Sequence, residues 1–159
     1  SERPHLRGGF ASGFFDSDGV ATQDREVVVD GVLQGYFLNA YTARKLGMQT
    51  TANAGGCHNL IVHPGKHDFQ ALLKKMGRGL LVTELLGQGI NYVNGDYSRG
   101  AAGYWVEHGE IVHAVEEITI AGNLSDMFRN IAAVGNDVLV RGSKQVGSIL
   151  VEKMKVAGS

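Results

Sequence analysis

The sequence has little cysteine and proline, no marked excess of charge and no long apolar segment. Its single cysteine, Cys57, excludes an internal disulfide and favours a reducing, cytoplasmic setting. The 15 lysine and arginine residues balance 16 aspartate and glutamate residues, giving a formal net charge of -1. Without a basic field, no direct binding to nucleic acid or to an anionic membrane is expected. No apolar run approaches the roughly 20 residues that a membrane-spanning helix needs.

Glycine, in contrast, is abundant, with 23 residues against two prolines. The glycines are scattered between apolar runs and form no repeat, which indicates many turns within an ordered domain. A chain of 159 residues is long enough to bury roughly 70% of its unfolded surface around one core. We therefore predict a single domain over residues 1–159. Its first seven residues show no apolar signal core.

Two glycine-containing dipeptides predict β-hairpins. Asp30-Gly31 separates strand-like runs at 25–29 and 32–38, and His108-Gly109 separates runs at 104–107 and 110–113. A second strand-like run follows each turn, so both connections indicate antiparallel strand pairs.

Three segments predict short helices. Residues 39–47 and 68–77 each begin with a capping residue and end in glycine, and residues 123–134 carry a cap and apolar spacing before Gly135. Short apolar stretches bounded by turn residues predict further strands at 60–62, 79–86, 117–122, 138–140 and 148–151. Hairpins interrupted by about three short helices predict an α+β fold with a mainly antiparallel sheet.

The segment 91–110 holds the only tryptophan, three of the five tyrosines and four glycines. Within it, four consecutive residues supply a carboxylate, a phenol, a hydroxyl and a guanidinium: Asp96, Tyr97, Ser98 and Arg99. We predict a loop that recognises an extended peptide backbone, because polar groups in glycine-rich loops often bind. The alternative is a structural turn. In either case Arg99 is expected to pair with Glu84 or Asp96, or to meet a peptide carbonyl or carboxylate.

No arrangement of residues predicts a catalytic or metal site within the chain. None of the six histidines is followed by glutamate, and Pro64-Gly65 makes a helix between His63 and His67 implausible. The Asp16-Ser-Asp-Gly19 fragment lacks the later ligands of a calcium loop. Cys57 beside His58 leaves independent thiol chemistry open, although a buried, inert cysteine is the commoner case.

A series of short motifs resembles the C-terminal part of the TldD/PmbA family, most closely its PmbA branch, also called TldE. The motifs are Tyr41-Thr-Ala-Arg-Lys-Leu-Gly, Ala54-Gly-Gly with His58-Asn59, Thr83-Glu-Leu with Gly87-Gln-Gly, Gly95-Asp-Tyr-Ser-Arg-Gly-Ala-Ala-Gly, Glu117-Ile-Thr-Ile-Ala-Gly-Asn-Leu and Gly135-Asn-Asp. The resemblance runs from about residue 9 to residue 158, and its most specific part is 83–137. Family members are longer, so this chain resembles the C-terminal domain of such a protein.

The resemblance implies a peptidase assembly that acts on unfolded or peptide substrates. A TldD-like subunit carries the zinc, and the PmbA-like subunit is its partner in a hetero- or homo-oligomer. Zinc is therefore expected in the TldD-like partner, with no catalytic residue, metal ligand or cofactor in this chain. An older family name, modulator of DNA gyrase, implies the alternative of a non-proteolytic regulatory binding protein.

One departure from the TldD-like pattern favours the PmbA branch. In TldD-like members a cysteine follows the Gly-Asn-Asp motif, whereas here Gly135-Asn-Asp137 is followed by ten residues without one. Cys57 lies far earlier and does not correspond to that cysteine.

Overall fold

A computed structural model describes residues 1–158. Contacts divide the chain into two compact units: unit 1 comprises Ser1–Pro64 with Val138–Gly147, and unit 2 comprises Gly65–Asp137 with the residues from Ser148 onward. In the described part, no helix is long and apolar enough to cross a membrane. The elements follow in chain order: β1 (Val28–Val29), β2 (Val32–Leu33), α1 (Ala40–Leu46), β3 (Leu60–Ile61), α2 (Phe69–Met76), β4 (Gly79–Leu86), β5 (Asp96–Glu107), β6 (Glu110–Asn123), α3 (Leu124–Arg129), β7 (Ile131–Val134), β8 (Lys144–Gln145), β9 (Ile149–Val151) and β10 (Lys155–Ala157).

Unit 1 is built from short elements and long ordered loops. β1 and β2 form an antiparallel hairpin in which Asp30 and Gly31 both have positive φ, 50° and 77°, as a tight two-residue turn requires. β3 pairs in parallel with β8. The helix α1 begins at Asn39, whose side-chain oxygen accepts the backbone N–H of Thr42 at 2.7 Å, and it ends at Gly47 with φ 65°.

Unit 2 contains a four-stranded antiparallel sheet in the order β10, β6, β5, β4. The long β5–β6 hairpin turns at His108 and Gly109, with φ 53° and 77°. Extra residues bulge from β4 between Val82 and Glu84 and from β6 at two places, so β5 itself alternates regularly. One face of the sheet therefore carries the buried core cluster, which is Tyr97, Ala101, Ile118 and Ile120.

The remaining elements of unit 2 are two helices and a small second sheet. The helix α2 begins at Asp68, whose carboxylate accepts the N–H of Ala71 at 2.7 Å, and it buries Leu72 and Leu73. α3 is six residues long. β7 and β9 pair antiparallel.

The α+β class, the antiparallel sheet, both hairpin turns and the caps of the first two helices are confirmed. The third helix was predicted too long: α3 ends at Arg129, and residues 131–134 form β7 because they pair with β9. Residues 138–140 form no strand, residues 110–123 form one strand where two were predicted, and β8 and β10 were not predicted. The missed strands β7, β8 and β10 are short segments whose conformation is decided by a strand partner distant in the sequence.

Candidate functional site

The four residues proposed as peptide contacts begin a strand and do not form a loop. β6 pairs along all of them, from Asp96 opposite Asn123 to Arg99 opposite Ile120. The prediction of a loop was wrong because it rested on glycine content. Gly103 allows β5 and β4 to approach each other closely, because a Cβ there would collide with the carbonyl oxygen of Leu81 on β4.

Strand alternation places these four residues on two faces of the sheet. Asp96 and Ser98 are exposed on the outer face. Tyr97, which is 8% exposed, belongs to the core cluster on the opposite face. Arg99 shares that core face. The four side chains therefore do not converge, and only the carboxylate and the hydroxyl are presented together to solvent.

Arg99 does not pair with Glu84 or Asp96. Glu84 lies opposite Ala102 and hence on the outer face, whereas Arg99 lies on the core face with Ala101 and Tyr97. Instead, an Nη of Arg99 donates to the carbonyl oxygen of Leu85 at 3.2 Å, and its Nε is buried without a hydrogen-bond partner among the described residues. Arg99 thus links β5 to β4 near the C-terminal end of β4.

The loop that precedes Asp96 is held by asparagine side chains. Asn91 accepts the N–H of Val93 at 2.9 Å, and Asn94 accepts the N–H of Asp96 at 3.0 Å. Asn94 also donates to the Asp96 carboxylate at 2.7 Å, and Asn123 donates to the Asn94 carbonyl at 2.9 Å. The Asp96 carboxylate is consequently fixed in position although it is exposed.

The outer edge of β4 lies past the end of this site, because residues 89–91 bond to residues 96–98 and β4 pairs with β5 from Gly100 onward. β4 pairs only with β5 among the described residues, and its last four residues, 83–86, are all exposed. Such an edge presents backbone N–H and C=O groups that are free to pair with another extended chain. Leu85 and Leu86 add apolar side chains there, at 40% and 49% exposure.

A cavity of ≈ 730 Å³ opens within unit 2 at the other half of β4. It is bounded by α2, by β4 residues 79–82 and by residues 148–154, which include β9. Its volume is in the range of sites that take small ligands or peptide side chains. Most lining residues are apolar, with Arg78 and Lys153 among the charged ones.

Unit 1 contains a buried carboxylate that no local sequence pattern singles out. Glu2 is 1% exposed and accepts hydrogen bonds from Arg25 Nε at 2.7 Å, from Asn53 Nδ2 at 2.7 Å and from the backbone N–H of His58 at 2.8 Å. Burial by itself raises the pKa of Glu2, but these hydrogen bonds outweigh burial and hold the pKa below its usual range. The partners of Glu2 are distant in the sequence, so no local pattern indicates that its carboxylate is buried.

The candidate metal donors considered in the sequence analysis can be compared with their contacts in the structure. Across residues 1–158, no group of three or more His, Cys, Asp and Glu side chains is placed to hold a metal ion. The Nδ1 atom of His58 lies 3.3 Å from Glu2 Oε1. Asp16 accepts backbone N–H groups of Asp18, Val20 and Ala54, so its carboxylate stabilises turns. The donors present therefore do not fit a zinc or calcium site.

Comparison with known proteins gives a consistent family match. The sequence profile of the PmbA/TldA metallopeptidase C-terminal domain matches residues 1–158. The chain is 55% identical over 157 residues to metalloprotease PmbA of Escherichia coli O157:H7, covering 99% of this chain and 35% of that protein. It is 56% identical over 160 residues to a PmbA homologue of Haemophilus influenzae, covering 100% of this chain and 36% of that protein.

A solved structure of a relative has the same fold as this chain. A Thermotoga maritima protein described as a modulator of a DNA gyrase superimposes with a TM-score of 0.88 at 44% identity, over 98% of this chain and 38% of that chain. The chain thus spans little more than a third of the length of these relatives.

Proposed function

The chain belongs to the PmbA/TldA metallopeptidase family, as the C-terminal domain of a PmbA homologue, and we propose that it binds extended peptide and shapes the chamber of a peptidase assembly. In this proposal a TldD-like partner subunit supplies the zinc and the hydrolytic step, and the assembly is cytoplasmic. The observation that carries the proposal is the 55% identity, over 99% of this chain, to a protein named as a metalloprotease.

The exposed edge of β4 at residues 83–86 supports peptide binding. An extended peptide that pairs with the free edge at 83–86 would gain main-chain hydrogen bonds that do not depend on its sequence. Leu86 would contact its apolar side chains, and Asp96 and Ser98, exposed on the outer face of β5, would contact the polar groups of a peptide that continues past the end of β4. Tyr97 and Arg99 would position this edge, Tyr97 through the core and Arg99 through the Leu85 carbonyl.

The test uses the full-length gene product, alone and with its TldD-like partner. Zinc per polypeptide is measured by elemental analysis, and cleavage is measured with an unstructured peptide. We expect no stoichiometric zinc and no cleavage for the protein alone, and both for the pair. Stoichiometric zinc with cleavage by the protein alone would contradict the proposal.

A second candidate function is a non-proteolytic regulatory binding protein. It rests on the likeness to the Thermotoga maritima protein described as a modulator of a DNA gyrase. The discriminating experiment mixes purified full-length protein with purified gyrase and, separately, with the TldD-like protein. Binding to gyrase alone, without peptide cleavage by any mixture, would favour this second candidate.

A further inference from the structure

The loop before β5 contains the one asparagine–glycine dipeptide of the chain, Asn94-Gly95. Asparagine is a thermally labile residue, because the backbone nitrogen of the next residue can attack its side-chain amide. A glycine in the next position favours this attack, since it has no Cβ beside its nitrogen. The other asparagines of the chain all precede residues that carry a side chain. Asn94 is therefore the asparagine whose neighbour hinders the reaction least.

The reaction, deamidation, converts the side-chain amide of Asn94 into a carboxylate. The Gly95 nitrogen gives its proton to hydroxide and bonds to Cγ of Asn94. The bond from Cγ to Nδ2 then breaks, and the Nδ2 group takes a proton from water and leaves as ammonia. Water opens the resulting cyclic imide at either of its carbonyl groups. The products are an aspartate with the normal backbone and an isoaspartate whose backbone has an additional methylene.

The folded loop holds the groups that take part in this reaction. The N–H of Gly95 donates to the carbonyl oxygen of Asn91 at 2.8 Å. The Oδ1 atom of Asn94 accepts the backbone N–H of Asp96 at 3.0 Å, and its Nδ2 donates to the Asp96 carboxylate at 2.7 Å. The Gly95 nitrogen has to lose its hydrogen bond before it attacks, and Nδ2 has to lose its own before it leaves. The reaction therefore requires a local opening of the loop.

Deamidation loosens the loop in turn, because the Asn94 amide helps to hold the Asp96 carboxylate. The product side chain has no N–H to donate, and it places a second carboxylate where the two groups lie 2.7 Å apart. Two carboxylates that share a site disfavour ionisation of both. In the isoaspartate product the additional methylene also displaces the Asn94 carbonyl, which accepts a hydrogen bond from Asn123 at 2.9 Å.

From these contacts we propose that Asn94-Gly95 is a deamidation site whose rate is set by opening of the loop, and that the reaction releases the Asp96 carboxylate. The hydrogen bonds involved join residues 91–123 of unit 2, so the control of the rate lies within this chain. Water and hydroxide are the only co-reactants. The modification therefore accumulates in the folded protein with time and with rising pH, without an enzyme.

The experiment follows deamidation of the full-length protein in mildly alkaline buffer, folded and in guanidinium chloride. Peptide mapping by mass spectrometry measures conversion of amide to acid at each asparagine, a mass change that isomerisation of aspartate does not produce. Asn91 is the matched control, because it lies in the same loop and is followed by Tyr92. The variant Asp96→Ala removes the acceptor of Asn94 Nδ2 and leaves the asparagine–glycine dipeptide intact.

We expect Asn94 to convert about 30-fold more slowly in the folded protein than in denaturant, because two hydrogen bonds, each contributing about fivefold, have to open. In the folded protein Asn94 should still convert before Asn91 and every other asparagine. Asp96→Ala should speed conversion about fivefold in the folded protein and leave the rate in denaturant unchanged. Equal rates with and without denaturant, a folded Asp96→Ala rate equal to that of the parent, earlier conversion of another asparagine, or no conversion of folded Asn94 would each overturn the proposal.

The consequence of the reaction is measured on Asn94→Asp, which reproduces the product with the normal backbone. Hydrogen exchange at the backbone amides of Gly95 and Asp96 should rise about fivefold, because a hydrogen bond of the loop is lost. The control Asn130→Asp changes the same residue type at the end of α3 and should leave exchange at these amides unchanged. Exchange in Asn94→Asp equal to that of the parent would contradict release of the Asp96 carboxylate.

An effect of deamidation on catalysis rests on the proposed function, in which Asp96 contacts the peptide. Faster exchange in Asn94→Asp with unchanged cleavage by the reconstituted pair contradicts that contact and leaves the deamidation site standing. Reduced cleavage by Asn94→Asp, in a protein whose Asn94 does not deamidate when folded, supports the contact and contradicts only the deamidation site.

Discussion

The two units of this chain are stabilised in different ways. All four buried polar or charged residues among those described, Glu2, Thr22, Asn53 and Asn59, lie in unit 1. The compact apolar cluster around Tyr97 and Ile120 lies in unit 2, on one face of the sheet. Hydrogen bonds fix irregular loops with little apolar area, but each depends on a specific partner. Apolar burial on a sheet face tolerates changes of pH and needs no such partner.

The largest expected effect comes from breaking the Glu2 network. Glu2→Ala removes the carboxylate that three donors share and leaves the Arg25 guanidinium half-buried without its partner. We expect the free energy of unfolding to fall by about 4 kcal/mol, as for other disrupted buried ion pairs. Hydrogen exchange of the full-length protein should rise in residues 52–59. The exposed Glu26→Ala is the control and should leave exchange there unchanged.

The next effect concerns the apolar side of the comparison. Ile120→Ala creates a cavity in the sheet core and should cost about 3 kcal/mol. Hydrogen exchange should rise in β5 and β6 and stay unchanged in residues 52–59. A rise in both regions at once would show that the two units unfold together and would remove the basis of the comparison.

A smaller effect is expected at the tether between β4 and β5. Arg99→Lys keeps the charge but loses the planar group that reaches the Leu85 carbonyl, so the protein should lose about 1 kcal/mol of stability. Cleavage per folded molecule by the reconstituted pair should change little. Unchanged stability with a marked loss of cleavage would mean that Arg99 meets the peptide directly.

The smallest expected effect is on the pH dependence of stability. The pKa of Glu2 is lowered in the folded state, so its stabilisation is fully present above the unfolded pKa, about 4.3, and is lost as pH falls through the folded value. Denaturant unfolding of the parent at pH 7 and at pH 3.5 should therefore show a larger loss than that of Glu2→Gln. The other carboxyls with lowered pKa, Asp16, Glu26 and Asp137, are common to both proteins and cancel in this difference. Equal losses for the two proteins would remove Glu2 as the source of acid sensitivity.

The elements predicted correctly are those that short sequence signals determine. Asp30-Gly31 and His108-Gly109 form the expected hairpin turns, and Asn39 and Asp68 cap their helices, because these signals act within four residues. The elements decided by distant partners were missed or wrong. Asp96–Arg99 became a strand through pairing with β6, β7 formed through β9, and the burial of Glu2 depends on Arg25, Asn53 and His58.

The most direct test of the proposed peptide site is photo-cross-linking in the active pair. A photoreactive phenylalanine analogue is introduced at Ser98, on the outer face of β5 just past the end of β4, or at Phe128 on α3 as an exposed control. On irradiation with an unstructured peptide, we expect capture of the peptide at position 98, reduced by unlabelled competitor, and only background at position 128. Equal capture at both positions, or none at position 98 while the pair still cleaves the peptide, would contradict binding at this edge.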